Sequence, residues 1–116
     1  MAQHTNVADY LRDHAAARPE HPALIVADGE RWDSVTYREL NRRVDQYARG
    51  FHQAGIRKGM RVMFLVKPGI DFYGALFAMF RMGAIPILID PGMGLRKVLQ
   101  CIEGIQPDAL LALPLV

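Results

Sequence analysis

The sequence predicts an α/β fold. An N-terminal helix and a β-hairpin precede a β-α-β-α-β unit that carries a parallel sheet. Three observations lead there. Apolar runs at residues 61–66 and 84–89 have strand length and lack polar alternation, as expected for strands covered on both faces. The segments between and after them, near 70–82 and 95–104, have helical length, the second with its apolar residues along one face. Gly59, Lys67-Pro68-Gly69, Gly83 and Gly104 punctuate the junctions.

Residues 7–17 place Val7, Tyr10, Leu11 and Ala15 on one helical face, with Asn6 as N-cap and Pro19 just past the end. Ala23-Leu24-Ile25-Val26-Ala27 reads as a strand, Asp28-Gly29 as a turn, and residues 32–37 as the returning strand. Thr36-Tyr37-Arg38-Glu39 forms a capping box. The Thr36 hydroxyl can accept from the Glu39 backbone N–H, and the Glu39 carboxylate can reach back to that of Thr36.

The helix that follows carries Tyr37, Leu40, Val44, Tyr47, Ala48 and Phe51 on one stripe, and Gly55 closes it as a left-handed cap. Arg42-Arg43 sits within this helix and reads as a solvated face. After the strand at 61–66 come a mostly apolar helix stopped by Gly83, a second buried strand at 84–89, and a helix with Leu95, Val98, Leu99 and Ile102 on one face that Gly104 ends. Residues 109–113 read as a third buried strand. Right-handed crossovers make this a parallel sheet. No following helix covers the last strand, so residues 1–116 read as part of a larger domain.

The chain has 116 residues, 51% hydrophobic and 22% charged, enough to bury a core. A formal charge of +2, with its arginines scattered, gives no basis for nucleic-acid binding. Cys101 is alone, which excludes an internal disulfide or a cysteine metal cluster and fits a reducing compartment. Residues 1–14 are polar without an apolar signal core, and no apolar run is long enough to span a bilayer. The reading is a cytoplasmic protein.

Four segments, in order, carry a family resemblance. Val35-Thr36-Tyr37-Arg38-Glu39-Leu40 resembles the early Thr-Tyr-x-Glu-Leu motif of the AMP-forming adenylating enzymes, which include acyl-CoA synthetases, luciferases and peptide-synthetase adenylation domains. Gly55-Ile56-Arg57-Lys58-Gly59-Met60-Arg61-Val62 resembles their approach to the first parallel strand, with Met60 for the usual Asp. Arg81-Met82-Gly83-Ala84-Ile85-Pro86-Ile87-Leu88-Ile89-Asp90-Pro91 is similar to the next strand motif, with Arg81 for the common Lys and Asp90 for the common Asn. Gln106-Pro107-Asp108-Ala109 resembles the strand before the family's long middle segment. Within the family, Ile89-Asp90-Pro91-Gly92-Met93-Gly94 resembles the fatty-acyl branch, including the β-lactone synthetases of olefin biosynthesis.

The resemblance implies an incomplete part of the N-terminal domain of such an enzyme. It implies ATP and Mg²⁺ as cofactors of the full-length protein, with CoA as a further candidate, and a carboxylic acid as substrate. The acid attacks the α-phosphate of ATP to give an acyl-adenylate and pyrophosphate. A second nucleophile then displaces AMP, or an internal hydroxyl closes a β-lactone. The family's phosphate loop needs hydroxyl and backbone donors with a lysine to meet developing charge. With only Ser34, Thr5 and Thr36 as hydroxyl-bearing serine and threonine, this chain does not contain that loop. No catalytic, cofactor-binding or metal-binding residue is therefore assigned to it. The fragment itself is expected to be inactive and to hold no cofactor.

Other candidates carry two readings each. Gly92-Met93-Gly94 lies between strand and helix as a phosphate-cradling turn would, but Lys97 stands where a third glycine belongs, which favours a simple connection. Asp90 has the chemistry of an acid or a metal ligand, against a carboxylate that satisfies turn N–H groups. His4, His14, His21 and His52 lack metal-site spacing and read as surface residues. Cys101, beside Val98 and Ile102, reads as a buried thiol. Phe72, Tyr73, Phe77, Met79, Phe80 and Met82 fit an acyl pocket less well than a helix packed in the core.

Two further functions compete with the enzyme fragment. One is an interaction module that pairs, or self-associates, through its open sheet edge. The other is a small Rossmann-type nucleotide-binding protein.

Overall fold

A computed structural model describes residues 6–112. The elements are α1 (Ala8–Ala17), β1 (Pro22–Asp28), β2 (Arg31–Thr36), α2 (Tyr37–Gln53), β3 (Arg61–Leu65), α3 (Ile70–Met82), β4 (Ile85–Leu88), a 3₁₀ turn (Pro91–Met93), α4 (Leu95–Ile105) and β5 (Ala109–Ala112). β1 and β2 form an antiparallel hairpin, and the parallel sheet has the order β4-β3-β5. No helix among the described residues is long and apolar enough to cross a membrane. The predicted α/β class and the order of its elements hold.

β3 is the centre. Its Met63 lies beside Ile87 on one side and Leu110 on the other. Val62, Met63 and Phe64 are all buried, as a continuous apolar run with both faces covered requires. The first crossover runs from β3 to β4 and the second runs back from β4 past β3 to β5, so right-handed connections put α3 and α4 on opposite faces. Val62, Phe64 and Val66 join the large core with Leu40, Val44, Ala75 and Met79. Met63 is buried on the other face, where Val98 is the buried residue of α4.

The second and third strands were expected to be buried, but they are edges. Ile85 and Leu88 of β4 and Leu110 of β5 are about half exposed. Pro86 gives the physical reason for β4: it has no N–H for a further partner, so its strand belongs at an edge. β4 is also shorter than predicted, since Ala84 and Ile89 lie outside it; Leu113, the expected end of β5, lies outside the described residues.

α2 forms as its sequence directs. The Thr36 hydroxyl accepts the Glu39 N–H at 3.2 Å. The reciprocal arm of the capping box is replaced. The Glu39 carboxylate accepts from Arg42 Nε at 2.9 Å and Arg43 Nε at 3.2 Å, so this arginine pair is engaged with Glu39 rather than simply solvated. At the other end Gly55 has φ 103°, Ile56 N–H reaches the Phe51 carbonyl at 3.0 Å, and Gly55 N–H reaches that of His52 at 3.1 Å. This is a Schellman closure with Phe51 and Ile56 as its apolar pair.

Three elements differ in detail from expectation. α1 buries Ala8 and Leu11 and leaves Tyr10 exposed, as is Val7 just before it. Asn6 still caps it, accepting the Ala8 N–H at 2.9 Å while its amide donates to the Phe80 carbonyl. The hairpin turn is Gly29-Glu30, one residue later than read, with Gly29 at φ 63° between the paired Asp28 and Arg31. Tyr37 opens α2 rather than ending β2.

α4 passes through Gly104 and is closed by Gln106 at φ 51°, the one described non-glycine residue in the left-handed region. Arg61 compensates at that end, donating to the Ile105 carbonyl at 2.9 Å and the Gln106 carbonyl at 2.6 Å, where a cation opposes the helix dipole. Of the predicted α4 face only Val98 is buried, and Leu95 and Leu99 are exposed.

Candidate functional site

In an open parallel sheet, ligands bind outside the carboxyl ends of the strands, where neighbouring crossovers diverge. Here the crossovers diverge between the ends of β3 and β4. Beside that point, at the end of β3, a cleft of about 640 Å³ opens between the hairpin and the loop that leaves β3. Lys67, Pro68 and Gly69 form one wall, Asp28, Asp33 and Ser34 of the hairpin form the other, and Arg43 and Asp71 stand between them.

The charges between the walls are already organised. Tyr47 donates its hydroxyl to Asp71 at 2.7 Å, and Arg43 lies 3.9 Å from the same carboxylate oxygen. Burial, then the bond to Asp71, pushes the Tyr47 phenol up to about 12. The hydrogen bonds from Arg42 and Arg43 hold the Glu39 carboxyl down at about 2, and Glu39 in turn raises Arg42. Gly74 lets α2 and α3 come close enough for this arrangement. A Cβ there would lie 3.1 Å from Tyr47 Cε2. Of this set Arg43 and Asp71 line the cleft, while Glu39, Arg42 and Tyr47 lie on the adjoining surface of α2. No histidine or cysteine lines the cleft among the described residues, so it carries no His- or Cys-based nucleophile–base pair.

The segment at the end of β4 is a turn held by its own carboxylate. Asp90 Oδ1 accepts the Gly92 N–H at 2.8 Å, and Met93 N–H bonds to the Asp90 carbonyl at 3.2 Å. Asp90 therefore shapes the turn that delivers α4, with Gly94 at φ 94° starting that helix.

The histidines are partly brought together, which their spacing concealed. His14 stacks on Tyr37 with ring centroids 5.1 Å apart, and His21 lies 6.0 Å from the same ring. His52 is exposed at the end of α2, and His4 lies outside the described residues. No three His, Cys, Asp or Glu groups could hold a metal among the described residues. Cys101 is half-buried rather than buried.

The apolar set of α3 packs as core. Met79 is fully buried, and Phe72, Phe77 and Met82 pack against the main cluster. Phe72 meets Phe64 edge-on at 6.2 Å. The cleft at the end of β3 had no sequence signal of its own, because its walls lie more than thirty residues apart and only the packing of the hairpin on α2 unites them.

Comparison with known proteins adds a second line of observation. The sequence pattern described as "AMP-binding enzyme" matches residues 11–115. An olefin β-lactone synthetase of Stenotrophomonas maltophilia is 36% identical over 99% of this chain, and one of Xanthomonas campestris is 35% identical over 95%. This chain spans 22% and 21% of those proteins, about a fifth of their length. The solved fatty acyl-adenylate ligase from L. pneumophila, in complex with acyl adenylate and pyrophosphate, superposes with a TM-score of 0.83 at 22% identity. That superposition covers 93% of this chain and 20% of the ligase.

Proposed function

This chain belongs to the AMP-binding enzyme family, and on that premise we propose that residues 1–116 are a partial N-terminal subdomain of an ATP-dependent, AMP-forming ligase. The ligase activates a carboxylic acid, of the fatty-acid class, as its acyl-adenylate. Pyrophosphate leaves, and AMP is then displaced by CoA or by an internal hydroxyl that closes a β-lactone. Similarity to olefin β-lactone synthetases along nearly the whole chain is the observation that carries this reading.

In this proposal the present residues build scaffold. ATP, Mg²⁺ and the acid are held mainly by polypeptide beyond them, which must supply the hydroxyl-rich phosphate loop that a chain with one serine and two threonines lacks. The cleft at the end of β3 borders that site, and Lys67 and Ser34 face it as polar positioning groups. The proposed compartment is the cytoplasm. The edges at β4 and β5, with half-exposed Leu88 and Leu110, make the isolated chain prone to self-association.

The test is pyrophosphate release by the full-length protein across carboxylic acids of increasing chain length, with and without CoA. Acid-dependent release is expected, highest with long-chain acids. CoA-independent loss of acyl-adenylate with a 3-hydroxy acid assigns the lactone branch. No acid-dependent release from any member of the panel would overturn the assignment, as would acyl-adenylate formation by the 116-residue chain alone.

A further inference from the structure

We propose that the cleft at the C-terminal end of α2 is a docking site for an acidic segment of a partner protein, one that inserts an apolar side chain between carboxylates. The cleft measures about 530 Å³, and no acidic side chain lines it. Arg49, His52, Arg57 and Lys58 form its rim, over Ile56 and Met82.

Two of these cations are fixed in place by something other than a counter-charge. Arg57 donates to the carbonyls of His52 at 2.6 Å and Ile56 at 3.0 Å, which leaves the rest of its guanidinium facing outward. The stem of Lys58 lies against Gly83, where a Cβ would meet Lys58 Cγ at 3.0 Å, and no carboxylate pairs with its ammonium among the described residues. The contrast with the rest of α2 is informative. Arg38 pairs with Glu20, and Arg42 and Arg43 pair with Glu39, whereas Arg49 has no carboxylate among the described residues. Cations ordered in advance and lacking partners lower the entropic cost of binding an anionic group.

The shape selects the class of partner. A concave, apolar-floored site suits a protruding side chain better than a flat bilayer surface. Its one ring is the His52 imidazole at the rim, with no Phe, Tyr or Trp face on which successive nucleic-acid bases would stack. Carboxylates flanking an apolar anchor match both the rim and the floor.

The test uses a capped, fluorescein-labelled peptide, Glu-Asp-Leu-Glu-Asp-Leu-Glu-Asp, titrated into the protein by anisotropy, with amide chemical shifts read by NMR. Saturable binding is expected, with shifts at residues 48–58 and 82. Raising salt from about 50 to about 300 mM weakens it about tenfold, because rim charges are screened. Arg49→Glu and Lys58→Glu each weaken it about tenfold with unchanged far-UV spectra. Replacing the leucines by glutamine weakens it several-fold. Failure to saturate by about 1 mM peptide, the scale of a very weak complex, would overturn the proposal. Indifference to both charge reversals would do the same, as would tighter binding of oligothymidine or of phosphatidylglycerol vesicles at the same residues.

Discussion

Arg81 gives the sharpest test of how α2 and α3 are held together. Its guanidinium lies between them, with 12% of the side chain exposed. It donates to Asp45 at 2.6 Å and to Asn41 at 2.8 Å, while its Nε is buried without a partner. Replacement by methionine keeps the apolar stem and removes every polar atom. Charge-assisted bonds contribute about 1.5–3 kcal/mol in protected sites, but the Asp45 side chain is 52% exposed, so its share falls to about 1 kcal/mol. The Asn41 bond adds about 1.5 kcal/mol. Against these, removing the unpaired Nε returns about 1 kcal/mol of desolvation.

Arg81→Met is therefore expected to destabilise by about 1–2 kcal/mol, well below the loss typical of a broken, fully buried ion pair. Urea unfolding of Arg81→Met, Asp45→Ala and the double variant isolates the pair, with an expected coupling near 1 kcal/mol. A coupling under about 0.3 kcal/mol, the limit of additivity for independent sites, would refute the assigned ion pair. A loss of about 2.5 kcal/mol for Arg81→Met, the sum of about 1 and about 1.5, would mean that the partnerless Nε imposes no penalty.

Three further outcomes follow from local geometry. Gln106→Gly relieves a left-handed residue at the end of α4 and is expected to stabilise by about 1 kcal/mol, measured as a higher urea midpoint at unchanged slope. Thr36→Ala removes the hydroxyl that caps α2 and is expected to lose about 1 kcal/mol by the same measurement. Tyr47 has a folded-state pKa raised to about 12 from 10, so its contribution is complete below pH 10 and is lost as pH rises toward 12. Ultraviolet titration should show one tyrosinate forming late, and Tyr47→Phe should abolish that step and flatten the fall in stability over this window.

The parts of the fold legible in the sequence are those whose signals are local. Thr36 and Gly55 mark both ends of α2 because caps act within one turn, and its stripe through Leu40, Val44 and Phe51 records one contact face. β3 is legible for a similar reason, since a strand with neighbours on both sides and helices on both faces has no position left for a polar residue beyond its first, Arg61. β4 and β5 share that apolar composition without the neighbours, and Pro86 is the local mark of an edge that composition obscured. Gln106 closes α4 in a conformation that favours glycine, so the nearby Gly104 drew the boundary too early. The cleft at the end of β3 was illegible altogether. Asp33 and Lys67 line its opposite walls through tertiary packing, and no spacing rule connects them.

The position of α3 between β3 and α2 has a consequence during synthesis. Leu40 and Val44 pack into a core completed by Ala75, Ala78 and Met79. The nascent chain thus carries the apolar stripe of α2 without its α3 cover until Met82 has left the ribosome. At roughly 5–20 residues per second that interval lasts on the order of a few seconds, long enough for a chaperone to engage the bare stripe before the protein's own later segment arrives.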